Sequence, residues 1–574
     1  MKPTYFLSLI LSVLVWQAQA DVAIEAPGGD DALIENLRAR LGLEGVACDA
    51  PAWRVRRLFM RAEEDFRPAL RAFGYYRAVV EKKLETGGDC WSANFVIELG
   101  ERVFIRKRTV VVNGPAAQDK KLQTLLSELP LAQGAPLNHG QYESIKSSLR
   151  DYATRRGYFD YRLTRRELRV YPDESAAEID IEAESGPRYR FGELRLNEVP
   201  LNDDFVRRLA RFREGEPYDT RVLTAMDRNL TDPGYFQRVE VRALRDESED
   251  ETVPVDVLLE PAPRHAWSFG VGYATDTGPR GSIGYDNRYL NPSGHRFESG
   301  LQLSPIKSSL KGDYIIPGKE PNRETFAFGA RLLHEDNDSA ESDSVSLIAS
   351  QTLKSESWNQ TRFIELLHEK STVGDEDETT DTLLMLGIGV DRIKADDPIR
   401  TRRGYRVNFE VRGAHDALLS TTTMLQFRAG AKGIYRFGEA GRLTARVDGG
   451  TTLGDSVRDL PASLRFFAGG DNSVRGYKYK SLGPEDSEGE PMGGRHMLTG
   501  SLEYEHPVKA DDWWVAAFVD AGNAFDTDQI DAKVGYGLGV RWYSPVGRLR
   551  LDLAFPDDRE NDDWRIHFGI GADL

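Results

Sequence analysis

The sequence predicts a multidomain chain in which three small α+β repeats precede a 16-stranded antiparallel transmembrane β-barrel. Three observations carry that reading. A glycine-aromatic tripeptide recurs three times in the first half, long strands of period-two alternation fill the second half, and the connections between those strands are alternately long and short.

The chain opens on an export signal. Lys2 supplies a positive start, Phe6 to Trp16 an apolar core, and Ala18-Gln19-Ala20 the small residues a signal peptidase needs. That apolar run falls short of the ~20 residues a spanning helix requires, so residues 1–20 are expected to be removed. No later stretch is apolar enough for a membrane helix, whereas a barrel needs only every second strand residue to face lipid. The formal net charge of −17 argues against nucleic acid as a partner, because phosphates would be repelled.

The repeated tripeptides are Gly74-Tyr75-Tyr76, Gly157-Tyr158-Phe159 and Gly234-Tyr235-Phe236. A helical pattern precedes them, as in Tyr142, Ile145, Leu149 and Tyr152. Two extended stretches follow, such as Tyr161–Val170 and Ala177–Glu184. Each glycine is expected to end a helix, and the aromatic pair to enter a sheet while packing on that helix. Helices followed by paired strands give α+β units at 21–102, 103–188 and 189–263. Cys48 and Cys90 both fall in the first. In an exported chain a disulfide between them is the natural reading, stabilising by roughly 3–4 kcal/mol; the alternative is two unpaired thiols. Without a histidine cluster beside them they form no metal site.

Beyond Pro261-Ala262-Pro263 the period changes to two, and residues 264–574 read as the barrel. Trp267, Phe269, Val271 and Tyr273 alternate with Ser268, Gly270 and Gly272. Leu549, Leu551, Leu553 and Phe555 alternate with Arg548, Arg550 and Asp552. Strands of about ten residues with arginines on the second face suit a polar lumen. Acidic loops (His334–Asp343, Ser371–Asp381, Asp526–Lys533, Pro556–Asp563) alternate with short turns such as Ser544-Pro545-Val546-Gly547, the asymmetry of outer-membrane barrels. The lipid-facing residues imply membrane lipids as one partner.

The longest connection, Asp455 to about Gly494, contains Val474-Arg475-Gly476-Tyr477. Downstream, Ser501-Leu502-Glu503-Tyr504 and Phe518-Val519-Asp520-Ala521-Gly522 each place a carboxylate between lipid-facing apolar neighbours, so Glu503 and Asp520 must face the lumen. A guanidinium inside a barrel needs carboxylates in fork geometry. The loop is therefore expected to fold inward, with Arg475 paired to Asp520 and Glu503.

These two strand motifs, the Val-Arg-Gly-Tyr loop and the glycine-aromatic repeats together resemble the outer-membrane assembly factors of the BamA/TamA type. The repeats then correspond to polypeptide-transport-associated (POTRA) domains. The resemblance covers the whole mature chain and places the family's loop arginine on Arg475 and its strand carboxylates on Glu503 and Asp520. It implies a non-enzymatic insertase for unfolded outer-membrane proteins and autotransporters, with no cofactor. It also implies a TamB-like inner-membrane-anchored periplasmic partner, as in a translocation and assembly module. In this family the first and last strands pair weakly and the seam opens laterally. Here the seam residues are Trp267, Phe269, Gly270 and Gly272 on one side and Gly569 and Gly571 on the other. The glycines permit kinking there, or serve ordinary tight packing. Rival readings are a two-partner secretion transporter and a passive porin; three repeats disfavour the first, and Arg475 is unexplained by the second. An enzyme is disfavoured by scattered histidines and the lack of a Gly-x-Ser-x-Gly motif.

Overall fold

A computed structural model describes residues 20–574, apart from 87–89, 398–399, 439–440, 455, 510–511, 528, 545–546, 558–563 and 572–574. The expected signal peptide lies outside the described residues but for Ala20, as do most of the last acidic loop and the last three residues. The described chain divides into two compact units. One holds residues up to 194 with 213–224 and 243–255; the other holds 195–212, 225–242 and everything from 256 onward.

In the first unit each repeat runs strand, helix, helix, strand, strand. The first comprises Asp21–Glu25, helices Asp31–Arg40 and Ala52–Ala72, then Val79–Glu85 and Ser92–Glu98. Its last strand is central, parallel to the first and antiparallel to the second. The second repeat (Phe104–Asn113, Lys120–Glu128, His139–Arg156, Arg162–Tyr171, Ala176–Glu184) has the same order. Asp30 starts the first helix by accepting the Leu33 N–H at 2.8 Å. The long helix buries Val55, Ala62, Phe66 and Ala69 along one face. Phe66 meets Phe95 of the central strand edge-on, with ring centroids 5.1 Å apart. Gly157 caps its helix at φ 78°, as the repeat motif leads one to expect. The Cys48–Cys90 disulfide is present and joins the inter-helix segment to the start of the central strand.

One feature was not visible in the sequence, the strand that begins each repeat. Phe104–Asn113 is an edge strand with only Ile105 and Val112 buried, so its apolar alternation is too weak to register.

In the second unit sixteen strands form one antiparallel sheet whose order is the order of the chain, from His265–Ala274 to Arg565–Gly571. Outward side chains such as Phe269, Val271, Leu332, Leu347, Leu386, Leu538 and Leu551 are exposed. The alternate residues face inward, which is the inside-out patterning of a barrel in lipid. Two connections expected to be acidic loops are largely strand. The ladder continues through His334 and Asp343 to Asn337 and Ala340, and the next runs to Val373 and resumes at Thr379. There both faces of the hairpin are polar, so the alternation disappears while the backbone pairing does not. Beside the barrel, helix Asp203–Ala210 brings Phe205 edge-on to Tyr235 at 5.3 Å. The Tyr235 hydroxyl in turn donates to the Gly294 carbonyl at 2.6 Å.

Candidate functional site

The loop between the eleventh strand (Gly441–Gly454) and the twelfth (His496–Lys509) is shaped by its apolar residues. Leu460 and Leu464 are buried against Leu367, Leu383, Met385 and Met424 of the barrel wall. Val474, Tyr477 and Leu482 form a second buried cluster with Ala468. Removing these groups from water holds the segment against the wall, at roughly 25 cal/mol per Å² of apolar surface buried.

That fold delivers Arg475 to the twelfth, thirteenth (Trp513–Phe525) and fifteenth (Gly547–Pro556) strands. Its Nε donates to Asp520 Oδ2 at 2.7 Å and its Nη2 to Asp520 Oδ1 at 2.9 Å, a bidentate fork. Nη1 donates to Glu503 Oε2 at 2.7 Å and to Asp552 Oδ2 at 3.0 Å. The guanidinium also stacks over Phe518, 3.4 Å from the ring centroid. The pairing expected of Arg475 with Asp520 and Glu503 is therefore the geometry found. The rest of the motif is held as well. Val474 is buried, the Gly476 N–H donates to His567 Nε2 at 3.0 Å, and the Tyr477 hydroxyl donates to Asp557 Oδ1 at 2.7 Å.

Sequence reasoning missed the remainder of this network. Asp552 is a third carboxylate on Arg475. Arg541 donates to Glu503 at 2.8 Å and is bonded to Asp552; Arg548 donates to Glu503 at 2.8 Å and is bonded to Glu505. Arg442 donates to both Glu505 oxygens at 3.0 Å. Period-two alternation already puts all of them on the lumen face, and Asp552 between Leu551 and Leu553 has the same apolar setting that betrayed Asp520. A second signal was the run of glycines at every other position in the fourteenth strand (Lys533–Ser544). A Cβ at Gly535 would stand 1.7 Å from the Arg475 carbonyl oxygen, so a side chain there would exclude the loop.

The seam residues are arranged as follows. Trp267 and Phe269 point outward and are exposed. A Cβ on Gly270 would meet Ser282 Oγ at 2.5 Å, on Gly272 the Arg280 Nε at 2.9 Å, and on Gly569 the Arg550 Nε at 2.7 Å. These glycines thus make room for neighbouring side chains. Gly571 pairs with Arg548 in the last ladder. Among the described residues no ladder joins the first strand to the last. The Tyr273 and Phe568 rings lie 6.2 Å apart, and the Phe568 N–H donates to Thr275 Oγ1 at 3.2 Å.

Among the described residues, one group of carboxylates and histidine is compact enough to be compared with a metal site. The donor atoms of Asp276, Asp471 and His567 lie within 4.8 Å of one another. Both imidazole nitrogens are already engaged, Nδ1 with Asp471 at 2.5 Å and Nε2 by the Gly476 N–H. Because Nε2 accepts, Nδ1 carries the proton and donates it to Asp471. The group is a hydrogen-bonded chain.

Comparison with known proteins agrees with this geometry. Residues 265–574 match the Omp85 superfamily domain, and residues 23–99 match the POTRA domain described as TamA domain 1. The outer membrane protein assembly factor BamA of Nitratidesulfovibrio vulgaris is 26% identical over 409 residues, 64% of this chain and 49% of that protein. BamA of Neisseria meningitidis serogroup B is 22% identical over 581 residues, 87% of this chain and 71% of that one. The chain thus spans about half of the first relative's length. The solved structure of Haemophilus ducreyi BamA lacking POTRA domains 1–3 shares the fold, with a TM-score of 0.67 at 16% identity over 82% of this chain and 99% of that one. With more than half of its length matched by one family domain, the chain belongs to the Omp85 superfamily, as an outer-membrane β-barrel carrying POTRA domains on its periplasmic side.

Proposed function

We propose that this protein is a non-enzymatic insertase that assembles β-barrel proteins and autotransporters by opening the seam between its first and last strands. The observation that carries this is the seam itself, two neighbouring strands with no described ladder between them in an otherwise continuous sheet. A barrel edge in lipid leaves backbone groups without water, which is costly. The same unpaired groups offer an incoming strand a template. The Arg475 network fixes the loop against the wall that ends at this seam. A loop packed in this way against the inner wall fits a passive porin poorly. The POTRA arm is the docking site for a TamB-like inner-membrane-anchored partner, and unfolded outer-membrane proteins are the clients.

The test is a liposome assay with the full chain and a urea-unfolded barrel client, scored by heat-modifiable migration. A disulfide across the seam (Val271→Cys with Ile570→Cys) should abolish the acceleration of client folding, and reductant should restore it. Reductant alone on the parent chain is the control for Cys48–Cys90. Undiminished acceleration by the locked barrel would refute seam opening. Deleting residues 22–102 should leave a folded barrel that no longer retains the periplasmic partner.

A further inference from the structure

The loop meets the barrel wall at two places. Arg475 holds strands twelve, thirteen and fifteen; Asp471, four residues earlier, lies at the seam. Asp471 is nearly inaccessible, at 4% exposure, and its partners come from both sides. From the first hairpin, the Thr275 hydroxyl donates to Asp471 Oδ1 at 3.0 Å, and the Asp471 N–H donates to Asp276 Oδ2 at 2.6 Å. From the last strand, His567 Nδ1 donates to the same Oδ1 at 2.5 Å. The far nitrogen of that imidazole accepts from Gly476, the residue after Arg475. One carboxylate thus joins the first hairpin, the last strand and the arginine loop.

The local chain is built to deliver it. Gly470 has φ 101°, a left-handed conformation costly for any other residue, and a Cβ there would stand 2.7 Å from Asp276 Oδ2. The turn closes on itself, with the Ser473 N–H donating to the Gly470 carbonyl at 3.1 Å and the Gly469 N–H to Ser473 Oγ at 3.2 Å. Asn472 accepts from Arg550 at 3.1 Å, which fixes the turn to the fifteenth strand. Where the ladder is missing, the Phe568 N–H to Thr275 bond and the bonds routed through Asp471 run between the first hairpin and the last strand.

We propose that Asp471 is a latch that straps the external end of the seam shut, so that the seam opens there only when the Arg475 loop shifts. This rests on the reading of the seam as the exit. Asp471 and His567 are then positioning residues, acting through the loop and the strand ends.

The test places nitroxide labels at Val271→Cys and Ile570→Cys in the full chain in bilayers, with Cys48 and Cys90 left paired and no client present. The parent should give one short label distance. Asp471→Ala should add a population longer by about 5–10 Å, one to two strand spacings. Thr275→Val, which removes one hydroxyl bridging both partners, should add a smaller one and decides the matter if Asp471→Ala does not fold. Unchanged distances in a folded variant overturn the latch, whatever insertion does. Widened distances with unchanged client insertion support the latch and count against seam opening as the insertion mechanism.

Discussion

Two arginines, one half-buried in the arm and one buried in the barrel, hold carboxylates from separate elements, and they do so differently. Arg156, at the end of helix His139–Arg156, donates to Asp119 at 2.9 Å and to Asp219 at 2.8 Å, while its Nε has no partner among the described residues. Both aspartates are also held by helix starts, Asp119 by the Lys121 N–H and Asp219 by the Arg221 N–H. Arg475 uses every guanidinium nitrogen, against three carboxylates and a serine, with an aromatic ring beneath. Its directly bonded network holds four arginines (442, 475, 541, 548) and four carboxylates (503, 505, 520, 552), all buried. The arm arginine fastens groups that stay satisfied without it. The barrel arginine balances charges that have nowhere else to turn.

The largest effect should therefore follow Arg475→Ala. Removing one partner from a buried, balanced network typically costs about 3–5 kcal/mol. The barrel should form, the loop should leave its place in the lumen, and client insertion should fall sharply. Arg475→Lys should rescue poorly, because a single ammonium cannot fork across two carboxylates. Asp520→Asn should resemble Arg475→Ala, and the double variant should be less than additively worse. Loop position is read by protease accessibility and insertion by the liposome assay. Independent, additive single effects would place Arg475 outside any shared network.

The disulfide comes next. Its closed loop of 42 residues contributes roughly 4 kcal/mol in the chain-entropy model. Cys48→Ser with Cys90→Ser should raise hydrogen exchange in residues 21–98 and leave the barrel's exchange unchanged. Equal exchange in both proteins would show that the helix core around Phe66 and Phe95 suffices alone.

The same contrast explains what could be read from the sequence. Glu503 and Asp520 were legible because each stands between lipid-facing apolar residues, so the strand period alone turns them inward. Asp552 stood in the same setting and was overlooked. Alternation assigns a face; it does not say which inward carboxylate a distant loop will meet. Arg156 gave no signal, since its partners lie 37 and 63 residues away in chain segments whose contact depends on how the repeats pack. The leading strand of the second repeat escaped because an edge strand buries too little to show a period. The hairpins around 338 and 375 escaped for the opposite reason, that pairing outlasts the apolar face.

The smallest effect should be an acid response confined to the arm. Burial raises the Asp219 carboxyl, but the Arg221 side chain and N–H and the Arg156 guanidinium outweigh it, leaving the group well below the usual carboxylate range. A depressed folded-state value means that its contribution is fully present above the unfolded pKa, about 3.9, and is lost as pH falls through the folded value. The arm's stability should hence not vary with pH through Asp219 near neutrality and should weaken below about pH 4. Arg156→Ala removes one of the two stabilising cations, so the loss should be smaller and should be complete at a higher pH, while Arg221 keeps part of the depression. Exchange of peptides covering 213–224, followed from pH 7 down to about 2 in both proteins, measures this. An identical acid profile would mean that Arg221 alone sets the ionisation and that Arg156 contributes packing between the repeats and no charge.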